Sequence, residues 1–358
     1  MTIKELIFSY LPISFQVWLF KRTRIDKPCG YGEVYRISLN NALNTFLSVE
    51  ERNDKELIEK LTDDIIQCWL KYQALPYEYF LFNFRNRSDA ERWEFETDID
   101  RLHTLRKITG VTLFLEEINN KYHFFQLARQ FFKREAIMVD KNTNVDMFVD
   151  FCSRFKDVFI KPLESSKGRG ARVFSYSDKQ SAIALFNQLQ ADGSSWMVEE
   201  CIHQSIAMGQ WNMTSVNTIR IPSFLRDGKF TVIWTRMRMG KKGAIVDNAG
   251  AGGIVVNVDP KTGIITSDGI DESYNRFEKH PDSGLTFKGW QVPRWGELLS
   301  TVEELHRTVF NKHVYIAWDF ALTDDGWVVI EGNWGQLLGQ QTASQVGVRK
   351  QFHELVGR

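Results

Sequence analysis

Three polar residues near the end of the chain interrupt two strongly apolar runs. Asp319 lies within the run Val314–Phe320, and Glu331 and Asn333 end the second run two residues apart, so they share one face of a strand. Carboxylate and amide oxygens suit Mg²⁺ when room remains for water and phosphate oxygens. We predict that Asp319, Glu331 and Asn333 bind a divalent metal. The alternative is a hairpin end whose acids are solvated.

The element that would hold these residues is an antiparallel hairpin. The two apolar runs flank Thr323-Asp324-Asp325-Gly326, which is a strong turn signal. With a three-residue loop or a bulge, Asp319 lies nearly opposite Glu331, whereas a two-residue turn shifts it by about one position. In both cases the carboxylates converge, and like charges facing each other across a strand pair destabilise it unless a cation lies between them.

A second group of residues has the chemistry of a phosphate site. Lys161 ends a predicted strand, and the loop 164–170 that follows contains Lys167, Gly168 and Gly170. Glycines let backbone N–H groups approach phosphate oxygens, and a strand-held lysine supplies a point charge. A strand follows the loop and the sequence Gly-Lys-Ser/Thr is missing, so this is not a P-loop. An ordinary β-turn is the alternative.

Lys121 begins a predicted helix, for which Asn120 is a favoured N-cap residue. The helix macrodipole opposes a lysine at this position, but an anion bound there reverses the sign of the interaction. The pattern is therefore compatible with a phosphate contact and with an ordinary exposed lysine.

Arg220 and Asn248 are further candidates in the second half of the chain. Arg220 lies in an apolar strand pattern, where a guanidinium is costly unless it is paired. A structural ion pair is therefore the alternative to a substrate contact. Asn248 precedes a glycine cluster that permits close approach of a ligand, and its amide could donate to a phosphate oxygen.

The strand that ends at Glu199 and Glu200 has the pattern of an inter-domain hinge. In such a hinge, backbone N–H and C=O groups can hydrogen-bond a planar base while apolar residues stack on it. The polar end of an ordinary strand is the alternative, and this element alone does not separate the two.

Length and charge limit the function classes. The 358 residues suggest two or three subdomains, and 45 basic residues balance 45 acidic ones, so no overall field favours nucleic acid. Four cysteines lack the spacing of metal ligands or of a redox motif, which indicates reduced thiols in a cytoplasmic protein. They are Cys29, Cys68, Cys152 and Cys201.

The N-terminal third is predicted to be helical. Leu6–Phe20 is nearly uncharged, is short for a membrane span and contains Pro12. We expect a helix buried against the body of the protein, and an interfacial helix on a membrane remains the alternative. We predict a mainly helical accessory region over 1–110 and a mixed domain over 111–358.

The order of these motifs resembles that of an ATP-grasp fold. The finer pattern, with Tyr77–Phe82 upstream, resembles the sugar-transfer-associated ATP-grasp family, which is similar to α-L-glutamate ligases. The shared motifs are Lys121, Lys161 with Gly168 and Gly170, Val198 to Glu200, Asn217 with Thr218 and Arg220, Asp247 and Asn248 with Gly252 and Gly253, and Asp319 with Glu331 and Asn333. The resemblance implies an α+β fold in which two subdomains grip ATP, with 158–202 as the small nucleotide-covering subdomain.

The resemblance also implies roles for single residues. Lys121 and Lys161 would contact the ATP phosphates, the loop 164–170 with Lys167, Gly168 and Gly170 would close over them, and Asn248 would add a donor. Arg220 would face the γ-phosphate and the reacting group, so Arg220 and Lys161 are the expected catalytic residues. Asp319, Glu331 and Asn333 would hold two Mg²⁺ ions.

The residues expected to read the adenine lie at the hinge: Glu199, Glu200, Cys201 and Ile202. Ligases of this fold often place a second acid beyond the hinge for the ribose, but here the segment reads His203-Gln204-Ser205-Ile206. The ribose contact is unassigned, with Gln204 or Ser205 as candidates.

We expect an ATP- and Mg²⁺-dependent ligase that activates a carboxylate as an acyl phosphate for attack by an amine or another nucleophile. The family description favours a role in cell-surface polysaccharide or sugar-conjugate synthesis, in the cytoplasm or at the inner face of the membrane, with a small or sugar-linked carboxylate acceptor and an amine donor. Two alternatives are a kinase acting on a hydroxyl group and a nucleotide-binding scaffold without turnover.

Overall fold

The computed structural model describes residues 10–26, 30–163, 170–191, 193–243, 253–271, 273, 275–335 and 337–357. The predicted site residues Lys167, Gly168 and Asn248 lie outside these ranges, as does Cys29. The chain divides into two compact units. The helical unit comprises Met1–Thr104 and Gln336–Arg358, and the sheet unit comprises Leu105–Gly335. The predicted domain ranges 1–110, 111–358 and 158–202 stay predictions.

Helices alternate with strands only in the middle of the chain, as expected for an α+β protein. The helices are α1 Ile13–Phe20, α2 Tyr31–Phe46, α3 Val49–Asn53, α4 Lys55–Tyr72, α5 Pro76–Leu81, α6 Asp89–Trp93, α7 Asp98–Thr109, α8 Val111–Phe114, α9 Lys121–Leu127, α10 Arg129–Phe132, α11 Val145–Phe155, α12 Lys179–Ala191, α13 Ile206–Gly209, α14 Trp295–Thr308, α15 Leu338–Ser344 and α16 Arg349–Val356. The strands are β1 Ala136–Val139, β2 Asp157–Pro162, β3 Arg172–Ser175, β4 Trp196–Glu200, β5 Thr218–Arg226, β6 Lys229–Val232, β7 Thr235–Met239, β8 Ile254–Val258, β9 Gly269–Ile270, β10 Arg276–Phe277, β11 Tyr315–Thr323 and β12 Gly326–Asn333.

The helical unit combines both ends of the chain around one long amphipathic helix. Helix α4 begins after Asp54, whose side chain caps it, and buries the apolar stripe that contains Leu61, Ile65 and Ile66. From the C-terminal segment, the fully buried Gln341 side chain accepts the N–H of Glu96 and donates to its carbonyl oxygen, both at 2.9 Å. The last helices therefore complete the packing of the first hundred residues.

Helix α1 lies at the surface of the helical unit. Val17 is buried, but Phe15 and Trp18 are exposed. The expected buried helix Leu6–Phe20 begins outside the described residues, and its described part, Ile13–Phe20, is buried on one side only. Among the residues the structure describes, no helix has both the length and the apolar character that a membrane crossing requires.

The small sheet of the sheet unit has the strand order β1-β4-β2-β3, with every pair antiparallel. Its core includes Phe148 and Phe151 of α11, Leu185 of α12, and Ile160 and Val198 of the strands. The side chain of Asn144 caps α11 at its first turn. This layer holds Lys161 at the end of β2 and Glu199 near the end of β4.

The large sheet has the order β10-β9-β8-β7-β5-β11-β12, and β6 pairs with β5. One face of it packs on α14, where Leu298, Val302 and Leu305 belong to the same core as Ile219 and Trp318. Because side chains alternate along a strand, the opposite face receives the polar residues. A cross-strand row on that face runs through Glu331, Asp319, Arg220, Arg236 and Asn257.

A buried hydrogen-bond chain fixes α14 to the sheet. The Nε2 of His306 lies 2.8 Å from the carbonyl oxygen of His313, so this nitrogen carries the proton and donates. The Nδ1 then accepts from the hydroxyl of Ser223 at 2.7 Å, and that hydroxyl accepts from the indole of Trp318 at 2.7 Å. Burial lowers the pKa of His306 to about 4, so the ring is neutral at physiological pH.

Candidate active site

The β11–β12 hairpin brings Asp319 directly opposite Glu331. Thr323 pairs with Gly326, which makes the connection a two-residue turn, and a register shift between Asp319 and Phe320 then leaves Ile330 unpaired. Such a bulge compensates for the one-position offset of a two-residue turn. The predicted convergence of Asp319 and Glu331 is confirmed.

The third predicted metal ligand is held by the turn that follows β12. Asn333 lies on the same face as Glu331, and its Oδ1 accepts the N–H of Gly335 at 2.8 Å. Gly335 has a φ of +51°, and a Cβ there would lie 2.5 Å from that of Ala317, so only glycine fits without strain. The Nδ2 of Asn333 is buried without a hydrogen-bond partner among the described residues.

Asp319 is fully buried and is held by two arginines. Arg220 binds it through Nε at 2.7 Å and through Nη2 at 2.6 Å, and Arg238 donates to its Oδ2 at 3.0 Å. Burial alone would raise the pKa of Asp319, but the charges of Arg220 and Arg238 outweigh it and lower the pKa to about 2. The ion pair that the sequence left open for Arg220 is therefore present.

The pKa of Glu331 is shifted in the opposite direction to that of Asp319. Burial, and then the negative charge of Asp319, raise the pKa of its carboxyl group. Glu331 faces Asp319 across the strand pair, so its negative charge is unfavourable. A cation bound beside both carboxylates would stabilise the ionised form of Glu331. With the second lone pair of the Asn333 Oδ1, the oxygen set fits Mg²⁺ in chemistry, although Arg220 and Arg238 compete for Asp319.

Arg236 and Arg238 belong to this site although we predicted no role for them. Arg236 pairs in register with Arg220, and Arg238 pairs with Thr218, so three guanidinium groups share one face of the sheet. Burial, and then the charges of Arg220 and Arg238, lower the pKa of Arg236 to about 9. The sequence showed arginines at the alternate positions 236 and 238, but it did not predict that their strand, β7, pairs with β5.

Lys161 is buried and is anchored by a carboxylate of the neighbouring strand. Its Nζ lies 2.7 Å from Oε1 of Glu199, and the other oxygen of Glu199 accepts from Nη2 of Arg134 at 2.8 Å. Burial raises the pKa of Glu199, but the charges of Lys161 and Arg134 more than reverse that and lower it. Arg134 also donates to the carbonyl oxygen of Val329 in β12 at 2.9 Å, so it connects the two sheets.

Lys121 lies at the first position of α9, and the predicted N-cap Asn120 accepts the N–H of His123. The Nζ of Lys121 donates to the carbonyl oxygen of Leu163 at 2.7 Å. Burial lowers its pKa, and the charge of Glu331 acts in the opposite direction.

Lys161 of the small sheet and Lys121 of α9 therefore lie within electrostatic reach of Glu331 in the hairpin. The charges of Lys161 and Glu199 act on Lys121, and the charge of Lys161 offsets part of the rise in the pKa of Glu331. Lys121, Lys161 and Glu331 come from three different elements of the sheet unit, and their role in binding phosphate stays a prediction.

The hinge after β4 is tied to the hairpin. The N–H of Ser205 donates to the carbonyl oxygen of Leu322 at 2.8 Å, and the amide of Gln204 makes four hydrogen bonds, to Asn212, Ser215 and Asn217. Gln204 therefore has no hydrogen-bonding capacity left for a ribose.

The predicted base contacts stay predictions. The Glu199 carboxylate is engaged by Lys161 and Arg134, and burial raises the pKa of the Cys201 thiol to about 12, so it stays a thiol. The side chain of Glu200 and the backbone of Ile202 remain as candidate contacts. In the glycine loop, Gly170 is exposed with a φ of +78°.

Comparison with known proteins gives one family match. A family model described as "Sugar-transfer associated ATP-grasp" matches residues 113–356. Among curated protein sequences, none matches the chain.

Solved structures of similar fold include D-alanyl-alanine synthetase A from Vibrio cholerae O1 biovar eltor, at 10% identity and a TM-score of 0.38. Another is D-alanine-D-alanine ligase from Helicobacter pylori, at 12% identity and a TM-score of 0.41. The first comparison covers 61% of this chain and 55% of the other, and the second covers 68% and 61%. The chain thus spans less than two thirds of either protein.

Proposed function

The chain belongs to the sugar-transfer associated ATP-grasp family and has the α+β fold predicted for it, preceded by a helical region. From this premise we propose that it is an ATP- and Mg²⁺-dependent ligase. In the proposed reaction, a carboxylate oxygen attacks the γ-phosphorus of ATP and ADP leaves. An amine or another nucleophile then attacks the acyl carbon of the acyl phosphate, and phosphate leaves.

One observation carries the proposal: Glu331, which pairs in register with Asp319, lies within electrostatic reach of Lys161 and Lys121. Triphosphate binding needs both signs of charge, because the oxygens require cations while a bridging metal requires carboxylates. When bound between them, Mg²⁺ would neutralise charge on the phosphates. Lys161, held by Glu199, would be pre-oriented towards the same oxygens.

Arg220 has a defined task in this scheme. Its guanidinium lies on the row that contains Glu331 and Asp319, and Arg238 lies beside it. Charge that develops on the transferring phosphoryl group would be stabilised by these fixed donors, which need little reorganisation.

The reaction needs no protein nucleophile. Ser223 and His306 form a hydrogen-bonded pair, but both are fully buried on the opposite face of the large sheet, and the indole of Trp318 donates to the same hydroxyl. We assign that pair to packing between α14 and the sheet.

The decisive experiment is a screen of amino acids and sugar acids for phosphate release from ATP and Mg²⁺. In the presence of a substrate pair that supports turnover, Arg220→Ala and Glu331→Ala are expected to slow turnover about a hundredfold or more. Arg220 is a preorganised donor, which contributes about 3 kcal/mol to the barrier, and Glu331 would hold the metal. Asp324→Asn, a carboxylate change in the exposed hairpin turn, is the control and should keep the wild-type rate. Near-normal rates for both site variants would remove the assignment.

The two alternatives separate in the same assay. A kinase yields a phosphorylated hydroxyl compound and does not release phosphate with its acceptor present. A nucleotide-binding scaffold would bind ATP without turnover.

We also propose a sugar-acid or sugar-linked carboxylate as the acceptor, in cell-surface polysaccharide or sugar-conjugate synthesis. The family description supports this class, and the three arginines on the site face suit an anionic substrate. Phosphate release only with acceptors that lack a carboxylate would contradict it.

A further inference from the structure

The N-terminal segment 10–26 contains an apolar helix whose outer side is exposed among the residues that the structure describes. Helix α1 contains no charged residue, and Val17 on its inner side is buried where α1 packs against α4. On the outer side Phe15 is 45% and Trp18 is 52% exposed, and Tyr10, just before the helix, is 82% exposed. The rings of Phe15 and Trp18 lie 5.4 Å apart.

This exposure is unusual for the type of helix. Helix α1 is apolar except for Ser14 and Gln16, and apolar helix surface is normally covered by a protein core or by lipid. Five of the fifteen large apolar residues that the described part of the chain exposes lie between residues 10 and 37, and Val34 and Ile37 of α2 are among them. The apolar surface is therefore concentrated in one part of the helical unit.

Basic residues follow the exposed rings directly. Arg22 and Arg24 are exposed in the π-helical segment Lys21–Ile25 that continues α1, whereas the amine of Lys21 is held by Asp63 at 2.8 Å. Residues 1–30 contain five basic and two acidic residues, although the chain as a whole is neutral. The segment thus combines aromatic side chains with a local excess of positive charge.

We propose that segment 10–26 docks the protein on an anionic lipid surface. Trp18, Phe15 and Tyr10 enter the headgroup region, where amphipathic aromatic rings are favoured, while Arg22 and Arg24 contact lipid phosphates. The apolar groove of a partner protein could also cover the exposed rings. It would not explain why the positively charged Arg22 and Arg24 lie beside them. The proposal does not depend on the reaction proposed for the sheet unit.

The test is co-sedimentation of the full-length protein with two kinds of vesicle, phosphatidylcholine alone and an equal mixture of phosphatidylcholine and phosphatidylglycerol. The wild type should sediment with the mixed vesicles, and binding should weaken as salt is raised. Phe15→Ser with Trp18→Ser should weaken binding about tenfold or more, since a buried large apolar side chain contributes at least about a factor of ten. Arg22→Gln with Arg24→Gln should weaken it about fivefold per arginine at low salt only.

A matched control removes exposed apolar side chains elsewhere, at Val49 and Met147, by substitution with serine. This variant should bind as the wild type does. Circular dichroism and thermal unfolding would verify that each variant folds. If the aromatic variant does not fold, the variant with both arginines replaced still tests the proposal.

Equal binding by the wild type and both segment variants would overturn the proposal, as would equal binding of the wild type to both kinds of vesicle. Self-association that Trp18→Ser abolishes, without lipid binding, would assign the surface to a second copy and also overturn it.

Discussion

At the scale of single residues, the site depends on buried charges that fix one another. Glu199 holds Lys161 on one oxygen and Arg134 on the other, and all three side chains are at most 10% exposed. Removing one partner from a buried ion pair leaves a charge without compensation, which costs about 3 to 5 kcal/mol. Glu199 therefore matters for stability and for the position of Lys161.

We expect Glu199→Gln to lower the free energy of unfolding by about 3 kcal/mol and to raise the KM for ATP, because Lys161 loses its anchor. Chemical denaturation and ATP-dependent kinetics measure the two effects. Glu135→Gln is the control, because its ion pair with Arg129 is exposed and should contribute at most about 1 kcal/mol. An unfolding midpoint for Glu199→Gln equal to that of the wild type would contradict the expectation.

The residue scale also shows what the sequence could and could not reveal. Asp319 and Glu331 were predictable because one hairpin holds both, so the spacing along the chain determines their distance. Arg220 was predicted to need a partner, but that partner is 99 residues away and depends on the order of the strands. Arg134 gave no signal, because a lone arginine between a helix and a strand resembles any surface charge.

At the scale of elements, the bulge in β12 decides which side chain faces Asp319. Without it, the two-residue turn would place Ile330 opposite Asp319. Glu331 would then lie on the other face, so the two carboxylates converge because of the bulge and not with either kind of connection, as we had expected. The sequence left a longer loop, a bulge and a simple turn open, since all three are compatible with the same turn residues. Only the pairing along the hairpin separates them.

Helix α14 and the large sheet share a pH-sensitive contact. Burial lowers the pKa of His306 to about 4, below the ordinary value of about 6.5 expected in the unfolded chain. Between these values the unfolded chain binds a proton that the folded chain does not, so stability falls as the pH falls from about 6.5 to 4, by about 3 kcal/mol. His280 and His313, whose pKa values burial also lowers, contribute with the same sign.

We therefore expect the denaturation midpoint to decrease over this range. His306→Gln should be less stable at neutral pH, because its contacts with Ser223 and His313 are altered, but it should show a shallower decrease with acid. His103→Gln, at an exposed position, should keep the wild-type slope. A slope that is the same in His306→Gln and in the wild type would exclude His306 as a source of the acid sensitivity.

At the scale of the whole molecule, the helical unit is discontinuous in sequence. Gln341 and Glu96 are 245 residues apart, and Arg349 pairs with Asp100 at 2.7 Å. No periodicity or spacing relates such distant segments, which is why the sequence predicted the first helices without predicting what completes them. Helix α4 could be predicted, because its amphipathic pattern lies within one short stretch of sequence.

We expect Gln341→Ala to destabilise the helical unit by about 3 kcal/mol, because it leaves the buried N–H and C=O of Glu96 without their partner. Limited proteolysis of the N-terminal helices, with thermal unfolding, measures the effect. Gln351→Ala, at an exposed position of α16, is the control and should change stability by at most about 0.5 kcal/mol. Equal protease resistance of both variants would show that the C-terminal segment is dispensable for this unit.

The discontinuity of the helical unit also sets an order of events during translation. The sheet unit is one continuous stretch, Leu105–Gly335, and all of its contacts are available before the final residues are synthesised. The N-terminal helices of the helical unit are synthesised before the sheet unit, yet their packing is completed only by α15 and α16, which follow it. A nascent chain that stops near residue 335 would therefore carry every described strand, β1 to β12, together with an incomplete helical unit exposed to chaperones and proteases.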